Sequence, residues 1–187
     1  MSGHGHIDPS NKKIALLISI LALVLAFSET LGKGAQTAAL SHNIEASNLW
    51  TFFQAKTIRS TTLRTAAEAL ELELPQASRP EQKQALQQRI ADWKANVARY
   101  DSEPQTQEGR KELAARAKAA EARRDRSLAA YHNYELASAA LQIAIVLASA
   151  EIITGVVLLS WIAGGLGLLG IAFCSLGFFA PTAVHLF

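Results

Sequence analysis

LRTAAEALELELPQASRPEQKQALQQRIADWKANVARY, Leu63 to Tyr100, decides how this chain is built. Leu63, Ala67, Leu70 and Leu74 recur at a four-three spacing, and Leu86, Ile90, Trp93, Val97 and Tyr100 do the same. That spacing holds apolar side chains on one stripe of a helix, the seam of a coiled-coil-like pair. Between the seams, Pro75 and Pro80 bracket LPQASRP, and each proline lacks the N–H that an unbroken helix needs. Matching seams and a short connection predict an antiparallel hairpin.

Working outward, a second break falls at DSEPQTQEG, Asp101 to Gly109, where Pro104 and Gly109 make a loop or kink. After it Leu113, Ala117 and Ala120 resume a helical stripe, and nothing interrupts Leu128 to Leu136. On the other side, Gly32 and Gly34 are expected to interrupt the chain before a helix starting near Ala35, roughly 60 Å long if it reaches Leu74. No period-two strand pattern occurs in the sequence, so the fold class is all-α. Trp50, Phe52 and Phe53 cluster outside the later seam of that long helix. Two readings fit them: packing on the helix returning from Gln105 to Tyr131, or contact with another copy of the chain.

The charge is concentrated in this middle region. Sixteen of the 18 Lys and Arg and thirteen of the 16 Asp and Glu lie between Lys33 and Glu135, a balance that excludes a nucleic-acid-binding arm. The two ends are apolar. Runs from Ile14 to about Leu31, from Leu136 to Ser160 and from Gly164 to Phe187 are each long enough for a helix to cross a bilayer, which takes roughly 20 residues. The expected organisation is a flexible tail over 1–12, a first transmembrane helix over 13–32, a helical hairpin domain over 33–135, a second span over 136–160 and a third over 164–187. The expected class is an all-α integral membrane protein with three transmembrane helices and a long, coiled-coil-like extramembrane hairpin. The first run lacks a clean small-x-small cleavage site, which argues against a secretory signal peptide.

Carboxylates inside apolar runs are the residues with the strongest claim to function, because charging one there costs roughly 2.5–3.5 kcal/mol or more. With the second span ending at Ser160, Glu151 lies near the middle of the bilayer. Its face carries Ala140, Ala144, Ala148, Thr154 and Gly155, small residues that predict close helix packing. Ala163, Gly167, Gly170, Cys174, Gly177 and Pro181 form a similar seam on the third span, where Cys174 serves as a small packing residue. Glu29, in LVLAFSETLGKG, has two readings. It ends the first span by bonding with Thr30 or Lys33, or it joins Glu151 in one polar layer with Ser28, Ser149 and Thr154.

Other candidates carry less. His4, His6 and Asp8 in HGHID lack the fixed geometry and ligand number of a metal site and read as a mobile tail. His42, His132 and His185 stand alone in sequence. Arg123, Arg124 and Arg126 could meet lipid phosphates, but Glu121 and Asp125 interleave with them as on a solvated helix face. No nucleotide loop, zinc spacing, nucleophile elbow or paired catalytic carboxylates occur in the sequence, so the reading is non-enzymatic, with no cofactor and no metal. The single cysteine forms no internal disulfide.

Topology signals conflict. Lys12 and Lys13 favour a cytoplasmic N-terminus, whereas Arg116 to Arg126 favour a cytoplasmic middle domain. The short tail weighs more, because long domains translocate largely regardless of charge. The hairpin is then periplasmic.

The run from Asn11 to Leu72, and most specifically IEASNLWTFFQAKTIR (Ile44 to Arg59), resembles a bacterial domain-of-unknown-function family of small three-span membrane proteins with a central helical hairpin. The resemblance continues more loosely to the closing spans. It implies a bacterial inner-membrane location but carries no established activity and no catalytic residues. Members often hold basic residues in the last membrane turn; here that turn is SWIAGGLG, without charge. The expected role is structural: a homo-oligomer in contact with membrane lipid, assembled through small-residue membrane faces and helical stalks. The competing role is a proton or cation channel using Glu151, with or without Glu29.

Overall fold

The computed structural model describes the backbone from Pro9 to Ala183 and the side chains from Lys12 to Ala183. His4, His6, Asp8 and His185 lie outside the described residues. Four α-helices follow one another: α1 (Pro9–Glu73), α2 (Pro80–Asp101), α3 (Arg110–Thr154) and α4 (Leu158–Phe179). A 3-10 turn, Leu74–Gln76, follows α1, and no strand occurs among the described residues.

The predicted breaks fall where proline and glycine chemistry demands. Pro75 sits in the 3-10 turn, and Pro80 opens α2 behind Arg79 in an extended conformation, where a missing N–H costs nothing. Several helix limits differ from the sequence expectation. α1 begins at Pro9, inside the expected tail, and α4 begins at Leu158 and not near Gly164. SWIAGGLG therefore lies within α4, and the turn is at 155–157. α1 runs unbroken through Gly32 and Gly34, because a single glycine costs a helix only ~1 kcal/mol. α3 ends at Thr154 instead of near Ser160, since Gly155 takes φ 70°, the left-handed conformation that closes a helix.

The chain forms two compact units. One joins the described residues up to Leu40 with those from Arg123 onward, and the other is Ser41–Ala122. In the first, α1, α3 and α4 pack around Ile14, Leu21, Leu141, Ala144, Ala148 and Ala163. Its outward side chains include Leu16, Leu23, Phe27, Val146, Leu168 and Phe179, all exposed. α1, α3 and α4 are each long and apolar enough to cross a membrane.

In the second unit, Ala46 and Leu49 of α1 pack on Leu113, Ala117 and Ala120 of α3. The seams read from Leu63 to Tyr100 are half-buried or buried throughout, with Ala67 and Ile90 the most enclosed. Lys94 of α2 pairs with Glu71 of α1 across them.

Candidate functional site

In the first unit, glycines set the distance between helices. A Cβ added at Gly167 would come 2.5 Å from Leu21 Cδ2, one at Gly170 2.7 Å from Leu141 Cγ, and one at Gly177 2.9 Å from a ring carbon of Tyr134. Ala163 is fully buried and Cys174 half-buried on the same seam. The seam therefore faces α1 and α3, as small-residue spacing predicts. Ala140, Ala144 and Ala148 of α3 are buried in the same unit.

Polar side chains cross-link these helices at one end. Ser28 Oγ donates to the carbonyl of Tyr134 at 3.0 Å and accepts from Ser138 Oγ at 3.0 Å. Asn133 Nδ2 donates to the Pro181 carbonyl at 3.1 Å and to Ala129 O at 3.0 Å. Beside Ser28, an open groove of about 440 Å³ is lined by Glu29, Lys33, Tyr131, Glu135 and Gln142 among others. Glu29 is exposed there and accepts a 3.4 Å contact from Gln142 Nε2.

The shared polar layer does not form. Ser149 and Thr154 donate to carbonyls of their own helix, Ile145 and Ala150. Glu151 lies nine residues beyond Gln142, about 13 Å along α3. It also stands only three residues before the end of α3, so it lies at the end of the unit near Ile14 and not in its middle. Because α3 closes at Thr154 and not at Ser160, Glu151 sits nearer its end than a span over 136–160 implies. Glu151 is nonetheless 7% exposed, and its Oε2 has no hydrogen-bond partner. Ser160 Oγ, just past the turn, is also buried without one. Thr154 and Gly155 are exposed.

The second unit holds a cluster that sequence reasoning missed. Lys56 is 6% exposed. Its Nζ lies 3.9 Å from Glu103 and 3.8 Å from Glu108, and 5.3 and 5.1 Å from the ring centres of Phe52 and Tyr100. A lysine is buried only when its charge is met in this way. Next to it Arg110 Nη1 donates to Asp101 Oδ1 at 2.8 Å, and its guanidinium covers the ring of Phe53. Glu112 accepts from Ser102 Oγ at 2.7 Å and from the Glu103 N–H at 3.1 Å. These bonds, the Ser102 hydroxyl first, hold its carboxyl below the ordinary value of 4.5.

Gly109 makes the cluster possible: a Cβ there would lie 2.4 Å from Glu103 N. Gln107 turns the loop at φ 59°, and Arg116 donates to its carbonyl at 3.1 Å. The whole loop from Asp101 to Gly109 is thus tied down on α1 and α3.

The aromatic trio divides. Trp50 Nε1 donates to Glu121 Oε1 at 2.8 Å, and Trp50 and Phe53 pack edge to face against the α3 core. Both contacts lie within one chain, as packing on the returning helix predicts. Phe52 remains exposed beside Lys56. The signal for this cluster was IEASNLWTFFQAKTIR itself, whose Trp50, Phe53 and Lys56 engage the helices and loop around them. What the sequence did not reveal is which distant acids they meet: Glu103 and Glu108 for Lys56, and Glu121 for Trp50.

Taken together, the described residues form an all-helical protein with three candidate membrane spans and a helical unit between the first two. The chain belongs to the family described as "Domain of unknown function (DUF4337)", whose model matches residues 10–180. No curated protein matches it, and neither does any solved structure.

Proposed function

We propose that this chain is a non-enzymatic structural protein of a bacterial inner membrane. It spans the bilayer three times and assembles as a homo-oligomer. The observation that carries the reading is the use made of polar side chains. Ser28, Asn133, Lys56, Arg110 and Glu112 each direct donors or acceptors at another helix or loop of the chain. Polar and charged groups here fasten helices and loops together. Lys12 and Lys13 before the first span favour a cytoplasmic N-terminus and a periplasmic hairpin.

Native mass spectrometry from detergent tests the assembly. The expected species is a multiple of the 20.1 kDa chain, and a monomer alone would overturn it. Cysteines placed between Pro75 and Pro80 test the orientation. Labelling by an impermeant thiol reagent in spheroplasts is expected, and its absence would reverse the topology.

One observation favours a second reading, a proton or cation path. It is the buried Glu151 with its unpartnered Oε2. Reconstituted liposomes decide it. A flux that Glu151→Gln abolishes supports the path, and no flux in the unaltered protein removes it.

A further inference from the structure

The outward face of α1 in the second unit carries a second seven-residue repeat. Ile44, Asn48, Thr51, Ala55, Ile58, Thr62, Thr65, Ala69 and Leu72 follow one another at alternating spacings of four and three. All are exposed except the half-buried Ala55. Ile44, Ile58 and Leu72 stand 53%, 67% and 77% exposed. An ordinary solvated helix places its charges on the side away from the core. Here Glu45, Arg59, Arg64, Glu68, Glu71 and Glu73 all lie beside the stripe and none lies on it.

The threonines strengthen the apolar character. Thr51 Oγ1 donates to Ser47 O and Thr62 Oγ1 to Ile58 O, each at 2.9 Å. Their hydroxyl protons are thereby taken up within the helix, and each side chain keeps an apolar methyl group. A shallow groove of about 620 Å³ runs along the stripe, lined by α1 residues that include Ile58, Thr62, Thr65 and Ala69.

We propose that this stripe pairs with the same stripe of a second copy, parallel and in register. The proposal rests on the homo-oligomer reading above and names the surface that reading lacks. An uncharged four-three repeat fits a partner helix of the same period, since only such a partner keeps contact over several turns. The same helix of another copy has that period and sets no charge against the stripe itself. Beside it, only Glu68 and the partner's Glu73 meet as like charges, at the far end of the stripe. Asn48 selects the direction. In a parallel pair Asn48 meets Asn48, whereas an antiparallel pair centred on Ile58 sets its amide near Ala69. An asparagine at this kind of position specifies register in two-stranded coils.

Cysteine cross-linking of the full chain in membranes tests the pairing, with Cys174→Ala as background. Ile44→Cys is expected to give a disulfide-linked dimer on oxidation, severalfold above an exposed control on α2, Ala95→Cys. Native mass spectrometry runs alongside. If an oligomer persists but Ile44→Cys links no better than Ala95→Cys, the stripe is wrong and the homo-oligomer stands. A monomer without cross-links overturns both, and leaves lipid or a foreign helix as the covering. If Ile44→Cys links only to Leu72→Cys in mixed membranes, the parallel register is overturned. Ile58→Glu with Thr65→Glu, both at exposed positions, is expected to abolish the Ile44→Cys cross-link while the helical spectrum is unchanged. Undiminished linking would overturn the proposal.

Discussion

Gly170 faces Leu141 so closely that a single added methyl group would lie 2.7 Å from the leucine Cγ and 3.2 Å from the Ala137 carbonyl. Leu141 is fully buried. Gly165 sits on the same helix with nothing within 4 Å of its would-be Cβ. Gly170→Ala is therefore expected to destabilise the protein by about 1–3 kcal/mol, the usual cost of overpacking. Gly165→Ala should be neutral or stabilise by up to ~1 kcal/mol through helix propensity. Thermal unfolding in detergent, followed by circular dichroism, compares the two. Equal effects would mean that α4 does not pack on α3 through Gly170.

That contrast marks what was readable beforehand. Spacing alone identified Gly167, Gly170 and Gly177 as one face, because helical geometry is local. Which side chain each one meets depends on register between helices, and no local pattern carries it. The same limit explains Glu29 and Glu151. Depth counted from span ends put them near one layer. One left-handed glycine, Gly155, shortens α3 and moves Glu151 to the end of the unit. The hairpin breaks were legible because prolines act on their own backbone. The continuity of α1 through Gly32 and Gly34 was not, since propensity is a weak prior beside packing. Gly32 is buried near Tyr134, a contact distant in sequence.

Lys56 offers a prediction about the loop it secures. Its ammonium is shared between Glu103, Glu108 and two aromatic rings, and its stem is buried. Lys56→Ala removes both the charge and the packing, with an expected loss of about 2–4 kcal/mol. Lys56→Met keeps the stem and should recover part of that loss. The readout is tryptophan fluorescence during urea unfolding, together with proteolysis between Asp101 and Gly109. Faster cleavage in Lys56→Ala is expected, and unchanged cleavage would mean that the loop is held by Arg110 and Glu112 alone.

Glu112 predicts a pH dependence. Its carboxyl is held below 4.5 chiefly by the Ser102 hydroxyl, so the folded form binds its proton less tightly than the unfolded chain. Stability from this group is then present above about 4.5 and lost as pH falls through the lower folded value. Melting temperatures measured from pH 6 down to pH 3 should decline in that window. Ser102→Ala should shrink this decline while lowering stability at pH 6. An identical slope in both proteins would remove Glu112 as its source.

Gly155 tests the end of α3, and with it the level of Glu151. Nothing lies within 4 Å of a Cβ built there, so a side chain would meet no steric obstacle from its surroundings. The cost of substitution is then that of the φ 70° backbone alone. Gly155→Ala should lower stability by about 1–2 kcal/mol, the left-handed penalty for an L-residue. Gly155→Asn should cost less, because asparagine tolerates that conformation at helix ends. Gly34 is the control: it too has open space around it, but lies within continuous α1. Gly34→Ala should be neutral or mildly stabilising. If Gly155→Ala behaved like Gly34→Ala, α3 would run on past Thr154, and Glu151 would belong deeper in the span. Thermal melts of the three variants in one detergent distinguish these outcomes.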